Sequence, residues 1–225
     1  MKLVIFDLDD TLVDFATTRQ VAHGELAKLL EREGIEAQAY LRACTQVDRP
    51  LFVQFEQGYL TRQEYRLRRF ADPFGLIGLA PRDDLVLQLN KVFMDCVNDS
   101  PLLFDDVQPV LAALRARGAR TAILTNGPSD GQRRKLKATG LDQVVDHVAI
   151  GEEVGVSKPL AQAFHNVVER FSVPASEALM VGDSPELDYD GALRAGLTAV
   201  LLDRDERHRD GGRRSIRTLA EVLSR

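Results

Sequence analysis

Five short apolar runs, none of them alternating with polar residues, limit what this chain can fold into more than any other feature. They are Lys2–Asp7, Arg120–Asn126, Val144–Ile150, Ala178–Asp183 and Thr198–Asp203. A strand with one face in water alternates. A strand without a polar break is buried on both faces, as in a parallel sheet covered by helices. Between the runs lie helical patterns. Val107–Arg117, Ser129–Thr139 and Asp190–Ala195 each stop at a glycine (Gly118, Gly140 and Gly196), and Leu160–Phe171 follows Pro159. Glycine past a last helical turn is a stop signal. The alternation predicts an α/β protein with a doubly wound, Rossmann-like parallel sheet.

One long stretch breaks the rhythm. From Phe15 to Ser100 there is no buried-strand pattern. Helical patterns cover Arg19–Arg32, Ala37–Thr45, Leu51–Gln57, Arg62–Phe70 and Arg82–Val97, with Gly34, Pro50, Gly58, Pro73-Phe74-Gly75 and Pro81 between them as breaks. The expected organisation is an α/β core from residues 1–14 and 101–225, with a helical domain over 15–100 inserted after the first strand. The 225 residues suffice for a core carrying such an insertion.

Composition excludes several classes. The net charge of −5 disfavours a nucleic-acid polymer as partner, since such binding rests on basic patches. The basic residues from Arg204 to Arg214 are interleaved with acids and read as a solvated loop. The first apolar run meets aspartates too soon for a signal peptide, and no run approaches membrane-spanning length. Cys44 and Cys96 are too few for a disulfide framework or a zinc site, so a reduced, cytoplasmic protein is expected. His23, His147, His165 and His208 share no ligand spacing. GEEVGVSK lacks P-loop spacing, and neither GxGxxG after a strand nor GxSxG occurs.

Polar chemistry gathers where the predicted strands end, the edge at which open α/β sheets bind ligands. Asp7, Asp9, Asp10 and Thr11 follow the first run, and Thr125-Asn126-Gly127 closes the second. Lys158-Pro159 lies in the loop after the third, and Gly182-Asp183-Ser184 closes the fourth, with Asp188 five residues past Asp183. Each alone is an ordinary turn or helix start. Together they suit phosphoryl transfer. A carboxylate can attack phosphorus, and a second can protonate the leaving oxygen and then activate water. Mg²⁺ can bridge carboxylates to phosphate oxygens, while a hydroxyl, backbone N–H groups and an ammonium hold the rest. Like charges as close as Asp7, Asp9 and Asp10 are tolerable if Mg²⁺ and Lys158 share the site.

In these positions the chain resembles the haloacid dehalogenase-like hydrolases, among them the phosphatases. Asp7, Asp9 and Thr11 match that family's D-x-D-x-T, and Thr125 its second motif. Lys158 matches the third, and Gly182, Asp183 and Asp188 the fourth. The inserted helices resemble the family's type-one cap. The resemblance implies Asp7 as the nucleophile that forms an aspartyl-phosphate. It implies Asp9 as general acid and base, with a backbone carbonyl on Mg²⁺. Asp183 would be a direct Mg²⁺ ligand, and Asp188 would act through water or by orienting Lys158. Thr125 and Lys158 would bind the phosphoryl group, and Asn126 would contribute through its backbone N–H. Asp10 stands where many members have Gly, and is expected to be a turn residue without a catalytic role. Leu187 and Leu160 depart from the Asn and Asp frequent at their places.

Within the family, Asp9 together with Asp183 and Asp188 points to phosphate rather than a halogenated carbon. The expected activity is Mg²⁺-dependent hydrolysis of a small phosphomonoester, a nucleoside monophosphate or a sugar phosphate. GYLTRQEYRLRRF (Gly58–Phe70), with the TNG and GEEVGVSKP runs, is similar to the nucleoside monophosphate phosphatases and N-acylneuraminate-9-phosphatase. The alternatives are a phosphomutase of the β-phosphoglucomutase kind, a receiver-like module and a silent binding protein on the same fold. Arg62, Arg66 and Arg69 could meet an anionic substrate. The plainer expectation pairs at least two of them with Glu56 and Glu64. Phe15, Phe52, Phe55, Tyr59 and Phe74 could stack on a base, and are more simply helical-domain core. Nothing in the sequence separates monomer from homodimer.

Overall fold

A computed structural model describes residues 2–208 and 212–224, apart from the side chain of Glu56. The chain divides into two compact units, one of Met1–Ala16 with Ser100–Arg225 and one of Thr17–Asp99.

The first unit is built on a six-stranded sheet in the order β3-β2-β1-β4-β5-β6. The strands are β1 (Leu3–Phe6), β2 (Arg120–Thr125), β3 (His147–Ile150), β4 (Ala178–Gly182), β5 (Thr198–Leu202) and β6 (Ser215–Ile216), and every pairing is parallel. The absence of alternation in β1 now has its cause. Val4 and Phe6 point into one core with Val107, Val110, Leu111 and Leu114. Leu3 and Ile5 point into the opposite core with Phe164, Val167 and Val168. Both faces are dry, so both parities must be apolar. The crossing order places β1 between β2 and β4, which brings the ends of those three strands side by side.

The second unit holds most of α1 (Phe15–Arg32), and α2 (Ala37–Glu56), α3 (Arg62–Leu76) and α4 (Asp83–Asp99). Back in the first unit come α5 (Val107–Ala116), α6 (Ser129–Thr139) and two single turns, α7 (Leu141–Val144) and α8 (Gly151–Val154). They are followed by α9 (Ala161–Arg170), a wide helical turn over Pro185–Asp190, and the short α10 (Gly191–Arg194).

Several expectations are corrected. Pro50 does not divide a helix: α2 runs unbroken through it, and α3 runs through Pro73. A proline inside a helix costs a hydrogen bond and a clash. Here Tyr40 and Leu51 are buried along α2, and Phe70 and Phe74 along α3, so packing outweighs the local penalty. Strand β3 begins at His147 rather than Val144, because residues 141–144 close a helical turn first. The two-residue β6 is too short to leave an apolar run. Among the described residues Glu64 forms no ion pair with an arginine. Its carboxylate accepts the Thr61 N–H in a capping box. Arg69 is buried over the rings of Tyr65, Phe70 and Phe93, donates to Met94 Sδ, and has no carboxylate partner among the described residues. The expected pairing with Glu56 lies outside the described residues. Tyr59 is exposed rather than core, whereas Phe74 is buried.

The stretch Arg204–Arg214 is more than a solvated loop, although Arg209, Asp210 and Gly211 lie outside the described residues. Arg204 forms a two-pronged pair with Asp106 at 2.9 Å, stacks on Phe104, and donates to the Thr11 carbonyl at 3.2 Å. Arg213 likewise grips Asp190 with two bonds.

Phe164 is fully buried, and its ring fills the space that only the bare backbone of Gly191 leaves open; a Cβ there would lie 3.1 Å from the ring. Phe164→Ala is expected to lower the unfolding free energy by about 3–5 kcal/mol. Urea titration measures it, and a loss below about 1 kcal/mol would show that this face collapses around the deletion.

Candidate active site

The carboxyl ends of β1, β2 and β4, with the loop after β3, build one polar centre. The Asp7 N–H continues the ladder by donating to the Val181 carbonyl at 2.9 Å, so the first carboxylate is fixed by the sheet itself. Leu8 and Leu12 are buried and anchor the loop on either side of Asp9–Thr11. Asp10 sits in the left-handed region at φ 57°, which aspartate tolerates better than most residues. Its carboxylate accepts the Ala16 N–H at 3.0 Å. That accounts for an acid at this place as a turn and cap.

The shortest contact in the centre belongs to Lys158. Its ammonium donates to Asp7 Oδ1 at 2.5 Å and to Asp188 Oδ1 at 2.6 Å, and all three residues are buried. The backbone that carries Lys158 is held from β2. Asn126 Nδ2 donates to the Lys158 carbonyl at 2.7 Å, and the Lys158 N–H donates to Asn126 Oδ1 at 2.9 Å. Asn126 thus works through its side chain as a clamp on the lysine. Asp188 is pinned on its other oxygen by the Ser184 N–H at 2.9 Å. Gly182 is required beside it: a Cβ there would lie 2.3 Å from the Asp188 carboxylate.

Asp9 does not join that cluster. Lys135 donates to its Oδ1 at 2.6 Å, and Gln132 Nε2 donates to its Oδ2 at 2.9 Å. The same Gln132 nitrogen reaches Thr125 Oγ1 at 2.8 Å. Lys135 and Gln132 are both buried on α6, one turn apart. The start of α6 is held in turn by α8, where Glu152 accepts the Ser129 N–H and Glu153 pairs with Arg133. Sequence reasoning missed Gln132 and Lys135. A signal was present, since a basic residue and an amide three apart follow the Thr-Asn-Gly stretch on one helix face. Gly127 of that stretch is explained by Gln132: a Cβ there would meet its Nε2 at 2.1 Å.

Asp7, Asp183 and Asp188 each offer an oxygen within 4.8 Å of the others. Thr11 donates to Asp183 Oδ1 at 3.4 Å. Counting Asp7, Asp9, Asp183 and Asp188 against Lys135 and Lys158 leaves two negative charges. An all-oxygen set with that excess fits a hard divalent cation. Burial pushes the Asp7 carboxyl well above its ordinary range against the pull of Lys158, and Asp188 and Asp183 push it further. Asp183 is pushed up to about 7 by burial, then by Asp188 and Asp10. Burial works against the charge on Lys158, yet Asp188 and Asp7 outweigh it and hold the ammonium protonated.

The family described as haloacid dehalogenase-like hydrolase matches residues 1–196. A phosphoserine phosphatase of Thermus thermophilus is 31% identical, over 93% of this chain and 92% of its own. The pyrimidine 5'-nucleotidase YjjG of Escherichia coli is 30% identical, over 93% and 89%. The magnesium-bound crystal structure of the HAD-hydrolase YfnB of Bacillus subtilis superposes with a TM-score of 0.81 at 26% identity, covering 99% of this chain and 97% of that one.

The raised Asp183 value has a stability consequence in chelator. A carboxyl whose folded-state value stands at about 7 against an ordinary 3.8 contributes stability that is full below pH 4 and lost as pH rises through 7. Asp183→Asn is therefore expected to raise the metal-free melting temperature at pH 8 by roughly 4 °C or more, with little change at pH 4. Differential scanning fluorimetry in EDTA at the two pH values checks it. A variant that melts below wild type at pH 8 would contradict it.

Proposed function

The chain belongs to the haloacid dehalogenase-like hydrolases, in which it is a phosphatase for small phosphorylated substrates, and we propose that it is a Mg²⁺-dependent phosphomonoesterase working through an aspartyl-phosphate on Asp7. The observation that carries this reading is the division of the aspartates between two lysines. Lys158 holds one Asp7 oxygen and leaves the other without a hydrogen-bond partner among the described residues. Asp9, two residues on, is held apart by a lysine of its own.

The steps follow from those positions. The free Asp7 oxygen attacks phosphorus while the bond from phosphorus to the leaving oxygen breaks. Lys158 keeps the attacking carboxylate in place and offers positive charge to the transferring group. The Thr125 hydroxyl donates to an equatorial oxygen. Asp9, protonated on a lone pair that Lys135 and Gln132 leave unused, gives that proton to the leaving oxygen, so an alcohol departs. A water then attacks the phosphorus of the aspartyl-phosphate and passes its proton to Asp9. The P–O bond to Asp7 breaks, and phosphate leaves with both aspartates restored. Asp7, Asp183 and the Asp9 backbone carbonyl would hold Mg²⁺, with Asp188 supporting through Lys158 or a water. The ion would neutralise charge on the phosphoryl oxygens and bring them to Asp7.

A small phosphorylated metabolite, a nucleoside monophosphate or a sugar phosphate, is the substrate class this reading takes. The pyrimidine-nucleotidase relative supports the nucleotide arm.

Phosphate release from a panel of such esters, with Mg²⁺ and with EDTA, tests the reading beside Asp7→Asn. Metal-dependent turnover is expected, and the variant should lose roughly a thousandfold or more while keeping the wild-type circular dichroism. Near-normal turnover by Asp7→Asn would overturn it, and so would release that EDTA leaves untouched.

A further inference from the structure

We propose that Gln132 and Lys135 are positioning residues for the two reacting-group contacts on this side of the site, the Asp9 carboxylate and the Thr125 hydroxyl. The inference rests on Asp9 being the acid of the reaction.

The geometry leaves little freedom. Lys135 takes one Asp9 oxygen at 2.6 Å and Gln132 takes the other at 2.9 Å, so the carboxylate is fixed at both ends and cannot rotate. The orientation of the Gln132 amide is settled by chemistry. Turned over, its carbonyl oxygen would face a carboxylate oxygen and the donor would be lost. The nitrogen has two hydrogens. One goes to Asp9 and the second to Thr125 Oγ1 at 2.8 Å. Thr125 therefore accepts from Gln132, and among the described residues nothing takes its own proton. That proton is left for a phosphoryl oxygen. A single buried amide thus sets both the direction in which Thr125 donates and the place of the acid.

The arrangement is costly, which argues against simple core packing. Lys135 is 6% exposed and Gln132 is 1% exposed. Gln132 Oε1 is buried with no partner among the described residues. An apolar pair would fill these positions on α6 without leaving a polar atom unpaired. The Lys135 ammonium also lies 4.6 Å from the centre of the Phe15 ring, whose face favours the cation and shields it from water. Without Lys135, the remaining ammonium of the constellation is Lys158, already committed to Asp7 and Asp188. A carboxylate released toward it would disturb the nucleophile and abandon the leaving group.

Leaving-group dependence separates positioning from general support. Protonation of the leaving oxygen matters for an alkyl phosphate and hardly at all for p-nitrophenyl phosphate, whose phenolate departs unprotonated. The quantity to compare is kcat/KM, which ends at the first irreversible step, the loss of the alcohol. Wild type, Asp9→Asn, Lys135→Met and Gln132→Leu are assayed with the best alkyl ester of the panel and with p-nitrophenyl phosphate. Lys135→Met is expected to lose about 100-fold on the alkyl ester and less than about 3-fold on the aryl ester, as Asp9→Asn should. Gln132→Leu should show the same asymmetry, with an added loss on both esters from the freed Thr125 hydroxyl. It serves as the deciding variant if Lys135→Met does not fold. Equal losses on the two esters would overturn the inference and leave Lys135 structural. Asymmetry in Asp9→Asn alone would also overturn it, with the acid role of Asp9 intact. Asp9→Asn with no asymmetry would remove the acid role itself, and the inference with it.

Discussion

The whole centre depends on one buried ammonium. Three charges taken out of water would be ruinous singly, and Lys158 between Asp7 and Asp188 makes them tolerable together. Most of the surrounding architecture serves that triplet. Asn126 fixes the lysine backbone by both its polar groups, Ser184 takes the free oxygen of Asp188, and Gly182 leaves room for that carboxylate. Remove the lysine and two carboxylates face each other in a dry pocket. Remove Asn126, and the loop after β3 loses both of these bonds to the end of β2.

The second ammonium, on Lys135, makes the chemistry asymmetric. Two carboxylates two residues apart could compete for one cation, and neither would then be free for a separate task. With a lysine for each, Asp7 is oriented from β3 and β4 while Asp9 is oriented from α6. The excess negative charge that remains falls on groups whose protonation ranges are raised first by burial and then by their neighbouring carboxylates.

The helical unit follows different rules. Its most unusual group is Arg69, a buried guanidinium enclosed by three aromatic rings and a methionine sulfur. Helical periodicity in the sequence suggested a surface ladder of charge there. The interior position of Arg69 follows instead from α3 packing one face against α2 and α4, with Tyr65 and Phe70 on that face and Phe93 of α4 against Phe70. Pro50 and Pro73 mislead for the same reason. A local break signal yields where the helix that carries it has buried side chains to pack, as α2 has at Tyr40 and Leu51 and α3 at Phe70 and Phe74.

By itself the sequence determined the class of the sheet, its five main strands and the residues that stand at their ends. Those are local facts: a strand dry on both faces must be continuously apolar, and a residue after its last turn must project from its edge. It also determined that carboxylates, a threonine and a lysine would meet there. Only the tertiary structure decided which charge answers which. Asp9 and Lys135 are 126 residues apart and Lys158 and Asp7 are 151 apart, and no spacing rule covers such distances. The partners were set by the order in which parallel strands lie beside one another, and by burial, which forbids any of these groups to remain unpaired.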